Sequence, residues 1–276
     1  GMAMKNILKI MLMMITIFTI AGSAVYAAEI PVSDQDQLIT SSDWTEISNL
    51  QDEMKKEEPD ATIDYDKALK VYVDCNLIKL QTADTKKLTS ALESANYVWV
   101  IPFKMEKTYG MFTVAKGLPL REEAKSVLTK AEQEEVKNHA GKWMITEIAE
   151  HTVEPYYDIL LEKREALSDC TRVVLVGSQP GMRQPVALGM DDETARIWIS
   201  LGYQYPVMEK IPETQNVESG VYSFDSVAEI SDTYIEDSEV STGAGVQSRS
   251  SMKYVAGIGI VLIGSILILS VLKKKK

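Results

Sequence analysis

The stretch YVWVIPFKMEKTYGMFTVAKG, residues 97–117, places two runs rich in β-branched and aromatic residues on either side of the polar segment KMEKT. Such residues favour strands, and a short polar segment between two strands is typical of a hairpin. Both faces of residues 97–103 are apolar, which predicts a central strand whose pairing is limited at Pro102. The stretch therefore predicts a sheet with a buried centre.

Segments on both sides of this hairpin predict further strands and helices. Apolar alternation or continuous apolar runs predict strands at residues 68–75, 142–149, 172–178, 183–190 and 195–202. Helical spacing with start and stop signals predicts helices at residues 83–95, 118–141 and 154–169. Because strands and helices do not alternate strictly, we expect an α+β fold: one domain with a mixed β-sheet and helices mainly on one face.

The charge of the chain, −11 overall, is unevenly distributed and predicts the domain boundaries. Residues 28–60 form an acidic, polar N-terminal segment with a short amphipathic helix predicted at 43–57, and residues 213–248 hold eight acidic residues and no basic one. Like charges with few aliphatic residues are typical of extended segments. We therefore predict a domain at 61–212 and an acidic flexible stalk at 213–252, with the alternative that GVYSF, residues 220–224, adds a strand to the domain.

The N-terminus has the pattern of an export signal. Lys5 and Lys9 precede an apolar run at residues 10–21, and small residues follow it. This pattern predicts a signal peptide at residues 1–27, cleaved between Ala27 and Ala28. Residues 1–3 precede Met4 and read as a remnant of cloning.

The C-terminus has the pattern of a membrane anchor. Residues 254–272 contain no charged side chain. A helix of this length is long enough to cross a hydrocarbon layer of about 30 Å. Lys273, Lys274, Lys275 and Lys276 follow directly. Since basic clusters beside a span favour the cytoplasmic side, we expect a transmembrane helix at 253–272 and a cytoplasmic tail at 273–276. The tail can also attract anionic lipid headgroups.

Several classes of function lack a sequence signal. The acidic composition disfavours nucleic-acid binding, and no phosphate-binding loop or hydrolase motif occurs. His139 and His151 belong to no spaced set of metal ligands. We therefore predict no metal site, no cofactor and no catalytic residue.

The two cysteines, Cys75 and Cys170, lie in the predicted exported domain, where oxidation is permitted. A disulfide between them would close a long loop and restrict the unfolded chain. The alternatives are two buried free thiols or, less in keeping with the sequence, a catalytic thiol.

Two groups of side chains are candidates for a binding or catalytic site. Tyr203 and Tyr205 follow a predicted strand, and aromatic side chains on loops can contact a sugar or a peptide. Glu147, Glu150, His151 and Glu154 form the densest titratable group, although polar residues also gather at strand ends for turn formation. We predict a binding role for Tyr203 and Tyr205 only.

Together these features predict a single-pass protein of the cell membrane, with its N-terminal domain extracytoplasmic and its C-terminus cytoplasmic. The expected function is non-enzymatic binding of a protein, a peptide or a cell-envelope ligand, while the C-terminal helix contacts membrane lipid. The alternatives are a subunit of a secretion or transport complex and an envelope hydrolase that uses carboxylates or a thiol.

Overall fold

A computed structural model describes residues 29–151, 153–177, 179–182 and 184–231. The α-helices are α1 (Trp44–Ile47), α2 (Gln51–Glu57), α3 (Thr85–Glu93), α4 (Glu122–Lys125), α5 (Lys130–His139), α6 (Tyr156–Glu162) and α7 (Phe224–Ser231). The strands are β1 (Thr62–Ile63), β2 (Leu69–Tyr72), β3 (Tyr97–Lys104), β4 (Tyr109–Lys116), β5 (Trp143–His151), β6 (Arg172–Val176), β7 (Val186–Met190), β8 (Ala195–Ser200), β9 (Asn216–Glu218) and β10 (Val221–Ser223).

All ten strands form one large mixed sheet, which confirms the predicted α+β class. The strand order is β5-β4-β3-β2-β6-β7-β8-β10-β9, and β1 pairs with the end of β3. Strands β2 and β6 are parallel, and every other pair is antiparallel. The sheet therefore consists of two antiparallel halves joined at the β2–β6 pair.

The hairpin predicted at residues 97–117 is present as β3 and β4. The two strands pair from Val98 opposite Ala115 to Lys104 opposite Tyr109. Gly110 lies against the ring of Phe103, and a Cβ atom at this position would lie 2.1 Å from the Phe103 Cζ atom. The glycine thus allows the Phe103 ring to pack across the hairpin.

One face of the sheet, here called the back face, is covered by α6. Tyr156 and Leu160 of this helix pack against alternating aliphatic side chains of the central strands, together with Ile30 and Leu167. These strand residues include Leu69, Val71, Val173, Leu175, Ala187, Ile197 and Ile199.

The opposite face, here called the front face, carries two separate apolar clusters. One lies over β6, β7 and β8, where Leu88 and Leu92 of α3 and Val227 of α7 cover Trp198 and its neighbours. The other lies over β3, β4 and β5, where the N-terminal segment covers the sheet with three fully buried side chains: Leu38, Ile47 and Met54. The two clusters share a face because Lys70 and Tyr72 of β2 lie opposite Trp99 and Tyr97 of β3.

The predicted helix at 118–141 is two helices, α4 and α5. Thr129 interrupts it: its side chain accepts a hydrogen bond from the Glu132 amide, and Glu132 reciprocates in a capping box. This arrangement starts a new helix at Lys130, because it satisfies backbone amides that a continuous helix would bond internally. Val127, which helical spacing over 118–141 would place in the apolar stripe of one continuous helix, is 60% exposed.

Both flanking segments contribute to the fold beyond the predicted domain boundaries. The amphipathic helix expected at 43–57 is present as α1 and α2, with a 3₁₀ turn between them. Residues 213–231, expected in the flexible stalk, form β9, β10 and α7. Charge patterning misled the prediction here because Asp225 and Glu229 are exposed while Phe224 and Val227 are buried.

None of the helices in residues 29–231 has both the length and the hydropathy for a membrane span. The predicted signal peptide with its Ala27–Ala28 cleavage site, the rest of the stalk at 232–252, the anchor at 253–272 and the lysine tail lie outside the described residues.

Candidate functional site

The predicted tyrosine pair separates into one core residue and one residue at the edge of a site. Tyr205 is 2% exposed, its hydroxyl donates to the carbonyl of Pro185, and the amide of Leu201 donates to it at 3.5 Å. Burial raises the pKa of Tyr205. The structure thus places Tyr205 inside the apolar core on the front face, where it has no surface to offer a ligand.

Tyr203 is half-buried and meets a second tyrosine. Its hydroxyl oxygen lies 3.2 Å from that of Tyr156 on α6, and the two rings meet edge to face with centroids 6.4 Å apart. The Tyr156 hydroxyl also lies 3.8 Å from the sulfur of Met111 on β4. Burial raises the pKa of both phenols, so both are neutral hydrogen-bonding groups.

Glu147 of β5 is the charged member of this neighbourhood. Burial raises the pKa of its carboxyl group, while a hydrogen bond from Thr113, directly opposite on β4, acts to lower it. The charge of Glu147 also raises the pKa of Tyr156 and Tyr203. We call Thr113, Glu147, Tyr156 and Tyr203 the Glu147 site.

The carboxylate of Glu147 has no cationic partner in the part of the chain that the structure describes. No Lys, Arg or His nitrogen there lies within 4.0 Å of it. Carboxylates taken out of water are usually paired, because an unpaired one loses hydration without compensation. A group of this kind is a candidate for contact with a ligand.

A small depression on the back face shares Tyr156 with the Glu147 site but is not lined by Glu147, Thr113 or Tyr203. It is bordered by Met111, Tyr156 and Lys67 and has a volume of about 10 Å³, which is room for about one water molecule. Enclosed small-molecule sites are far larger, at about 300–1,000 Å³. This depression is therefore too small to enclose a small-molecule ligand.

A second polar cluster lies on the front face, between the two apolar clusters. Asp36, 2% exposed, accepts hydrogen bonds from Ser33 at 2.7 Å, Tyr72 at 2.7 Å and Arg172 at 2.9 Å. The ammonium of Lys70 lies 3.7 Å from the same carboxylate. This cluster connects the N-terminal segment to β2 and β6.

Lys70 is enclosed by aromatic rings. Its nitrogen lies 4.4 Å from the ring centre of Tyr97, 5.3 Å from that of Trp99 and 5.7 Å from that of Tyr72. Burial lowers the pKa of Lys70, whereas the charges of Asp36 and Asp43 act to raise it and that of Arg172 to lower it.

Asp43 completes the attachment of the N-terminal segment. Its carboxylate accepts hydrogen bonds from the Tyr97 hydroxyl at 2.8 Å and the Trp99 indole at 3.0 Å. The negative charges of Asp36 and Asp43 balance the positive charges of Lys70 and Arg172. The side chains of Lys70 and Asp36 are only 10% and 3% exposed. The cluster is a closed structural clamp, and a ligand has no access to it.

Both predicted disulfide partners are free cysteines. Cys75 packs against the front-face cluster over β6–β8, whereas Cys170 belongs to the back-face core, with its sulfur beside Gly189 of β7. The sheet separates them, and a disulfide needs the two sulfurs about 2 Å apart. Burial raises the pKa of each thiol to about 11, which disfavours the thiolate that a nucleophile requires.

The titratable group noted in the sequence is not assembled as one site. Glu150 lies on β5 but its alternation places it on the front face, opposite to Glu147. Among the described residues no group of three or more His, Cys, Asp or Glu side chains is placed to hold a metal ion.

Comparison with protein-family models, with curated proteins and with solved structures finds no match to this chain. The functional assignment therefore depends on the chemistry of the Glu147 site and on the sequence.

Proposed function

We propose that this chain is a single-pass protein of the cell membrane whose N-terminal domain is extracytoplasmic and binds a protein, a peptide or an envelope component without catalysis. Under this proposal, residues 253–272 form a transmembrane helix in membrane lipid, and the tail at 273–276 is cytoplasmic. The domain at 29–231 would then reach the membrane through the segment that follows α7.

The observation that carries the binding role is the Glu147 site. It combines a half-buried carboxylate that has no cationic partner among the described residues with the half-buried phenol of Tyr203, beside the apolar side chains of Met111 and Ala149. Interfaces are enriched in tyrosine, and a polar group within an apolar surround gives them specificity.

Hydrolysis has less support than binding. Glycoside hydrolysis needs two carboxyl groups about 5–10 Å apart across a cleft. Glu150, the nearest acid along β5, is directed to the other face of the sheet, and the depression beside Tyr156 is too small for a sugar. Buried thiols of raised pKa do not support thiol catalysis either.

The anchoring part of the proposal is tested by truncation. A chain that ends after Met252 keeps the export signal, the domain and the acidic segment, but lacks the apolar segment. We expect the full chain in the membrane fraction and the truncated chain in the medium or the periplasm. A second variant that lacks only Lys273–Lys276 controls for the truncation itself and should remain in the membrane fraction. Retention of the Met252 truncation in membranes would contradict the anchor.

A further inference from the structure

The sheet has one long free edge. Strand β5, nine residues long, is the last strand on its side, and among residues 29–231 it pairs with β4 alone. The opposite edge is β9, with only three residues. An edge strand presents unpaired backbone N–H and C=O groups, which are a template for a strand from another chain.

Two features on β5 oppose indiscriminate pairing. The register with β4 shifts so that Thr146 is an extra residue, a bulge whose hydroxyl donates to the carbonyl of Thr113 at 3.1 Å. Directly after it, Glu147 is directed over the back face. A bulge and an inward charge are devices with which proteins discourage association at a sheet edge.

The charge of Glu147 also makes the edge selective for certain partner strands. A neutral strand added to β5 would cover Glu147 further and leave its carboxylate without a partner, and an acidic side chain opposite it would be repelled. A strand with a cationic side chain at that position would instead supply the missing charge, while the half-buried phenol of Tyr203 offers a hydrogen-bonding oxygen to its remaining donors.

We propose that an extended segment of a partner protein adds to β5 as a further strand and places a lysine or arginine side chain on the carboxylate of Glu147. This inference rests on the proposed binding function and names its ligand class. Since side chains alternate along a strand, the residues two positions before or after the cation share the back face. One of them lies opposite Ala149, which favours a small or apolar side chain there.

The probe for this proposal is a display library of random twelve-residue peptides, selected against the purified full chain in detergent micelles. The selected peptides should share a Lys or Arg with an apolar residue two positions away. The best of them should bind Glu147→Gln at least tenfold more weakly than the unaltered chain. Glu150→Gln is the matched control, because it removes the same charge from the other face of β5. Its affinity for the same peptide should lie within about twofold of that of the unaltered chain.

Backbone pairing is tested with the peptide, so that the protein remains intact. Two versions of the best peptide carry N-methyl groups on alternate residues, in one version at odd positions and in the other at even positions. Only one edge of an added strand bonds to β5, so we expect one version to lose binding and the other to keep it. Equal loss or equal retention would show that the peptide is not a strand of the sheet.

Besides equal behaviour of the two N-methylated peptides, three results would overturn this inference. They are peptides that bind the Glu147→Gln variant as tightly as the unaltered chain, selected peptides without a basic residue, and a selection that yields no binding peptide. Binders of the first two kinds leave the proposed binding function in place, since they show a peptide site elsewhere on the chain. The location of the domain is decided independently by the Met252 truncation.

Discussion

At the scale of single residues, Asp36 carries the attachment of the N-terminal segment to the sheet. Replacing it with alanine leaves Arg172 and Lys70 partly buried without their acid, and removing one member of a buried ion pair costs about 3–5 kcal/mol. We expect Asp36→Ala to lower the free energy of unfolding by about this amount in urea titration. Asp34→Ala is the control: Asp34 is exposed two residues away, and its loss should change stability by about 0.5 kcal/mol at most.

Glu147 predicts a pH-dependent stability. Burial raises the pKa of its carboxyl group in the folded chain above the ordinary value of 4.5, so the folded chain binds this proton more tightly than the unfolded chain does. Ionised Glu147 therefore lowers the free energy of unfolding above its folded-state pKa, and this loss of stability disappears below pH 4.5. Glu147→Gln should raise the free energy of unfolding at pH 7, and the gain should vanish at pH 4.

The matched control for this measurement is again Glu150→Gln. It removes an equal charge from the same strand, so a general charge effect would stabilise both variants alike. A gain for Glu147→Gln that persists at pH 4, or one that Glu150→Gln reproduces, would contradict the description of Glu147 as a partly buried carboxylate without a cationic partner.

Sequence reasoning found some of these residues and missed others for definite reasons. Tyr203 was predicted because an aromatic residue follows a strand, and Glu147 was noted because acids cluster near it. Nothing in the local sequence around Tyr156 indicates its contact with Tyr203, which is 47 positions away. Asp36 lies in a segment that looked merely polar, because nothing local indicates its contact with Arg172, 136 positions away.

At the scale of elements, the strands were predicted more accurately than the helices and flanks. Alternation and β-branched residues indicate β2 to β8 locally, and the hairpin at 97–117 was found with its turn. The helix at 118–141 was predicted too long because the Thr129 and Glu132 capping box was read as helix interior. The boundary at 212 was placed by charge, whereas burial of Val221 and Phe224 places residues 213–231 in the fold.

The C-terminal elements give a further prediction. A chain that ends after Pro212 lacks β10, which pairs with β8, and exposes Trp198, whose ring stacks on Phe224 at 5.7 Å. Each of Val221, Phe224 and Val227 contributes about 1.5–3 kcal/mol by burial. We expect the free energy of unfolding in urea to be lower for residues 28–212 than for residues 28–231 by the sum of several such contributions. Aggregation of the shorter chain would have the same cause. Equal midpoints and slopes for the two chains would contradict the extended domain.

At the scale of the whole molecule, a folded domain at 29–231 lies between two terminal segments. The roles of these segments are predicted from the sequence alone. The fold places a clamped N-terminal segment on the front face, and among residues 29–231 the outer edge of β5 has no strand paired to it. A partner outside the cytoplasm meets this edge only if the domain is exported, so the topology decides whether the binding proposal can hold.

The most direct test of that topology is labelling of intact cells with a membrane-impermeant maleimide. In a chain with Cys75→Ala and Cys170→Ala, one variant carries Lys86→Cys on α3, where the lysine is exposed, and another carries Lys276→Cys. The account predicts labelling of the Lys86→Cys variant in intact cells, and of the Lys276→Cys variant only after permeabilisation. Labelling of the Lys276→Cys variant in intact cells, with the Lys86→Cys variant protected, would contradict it.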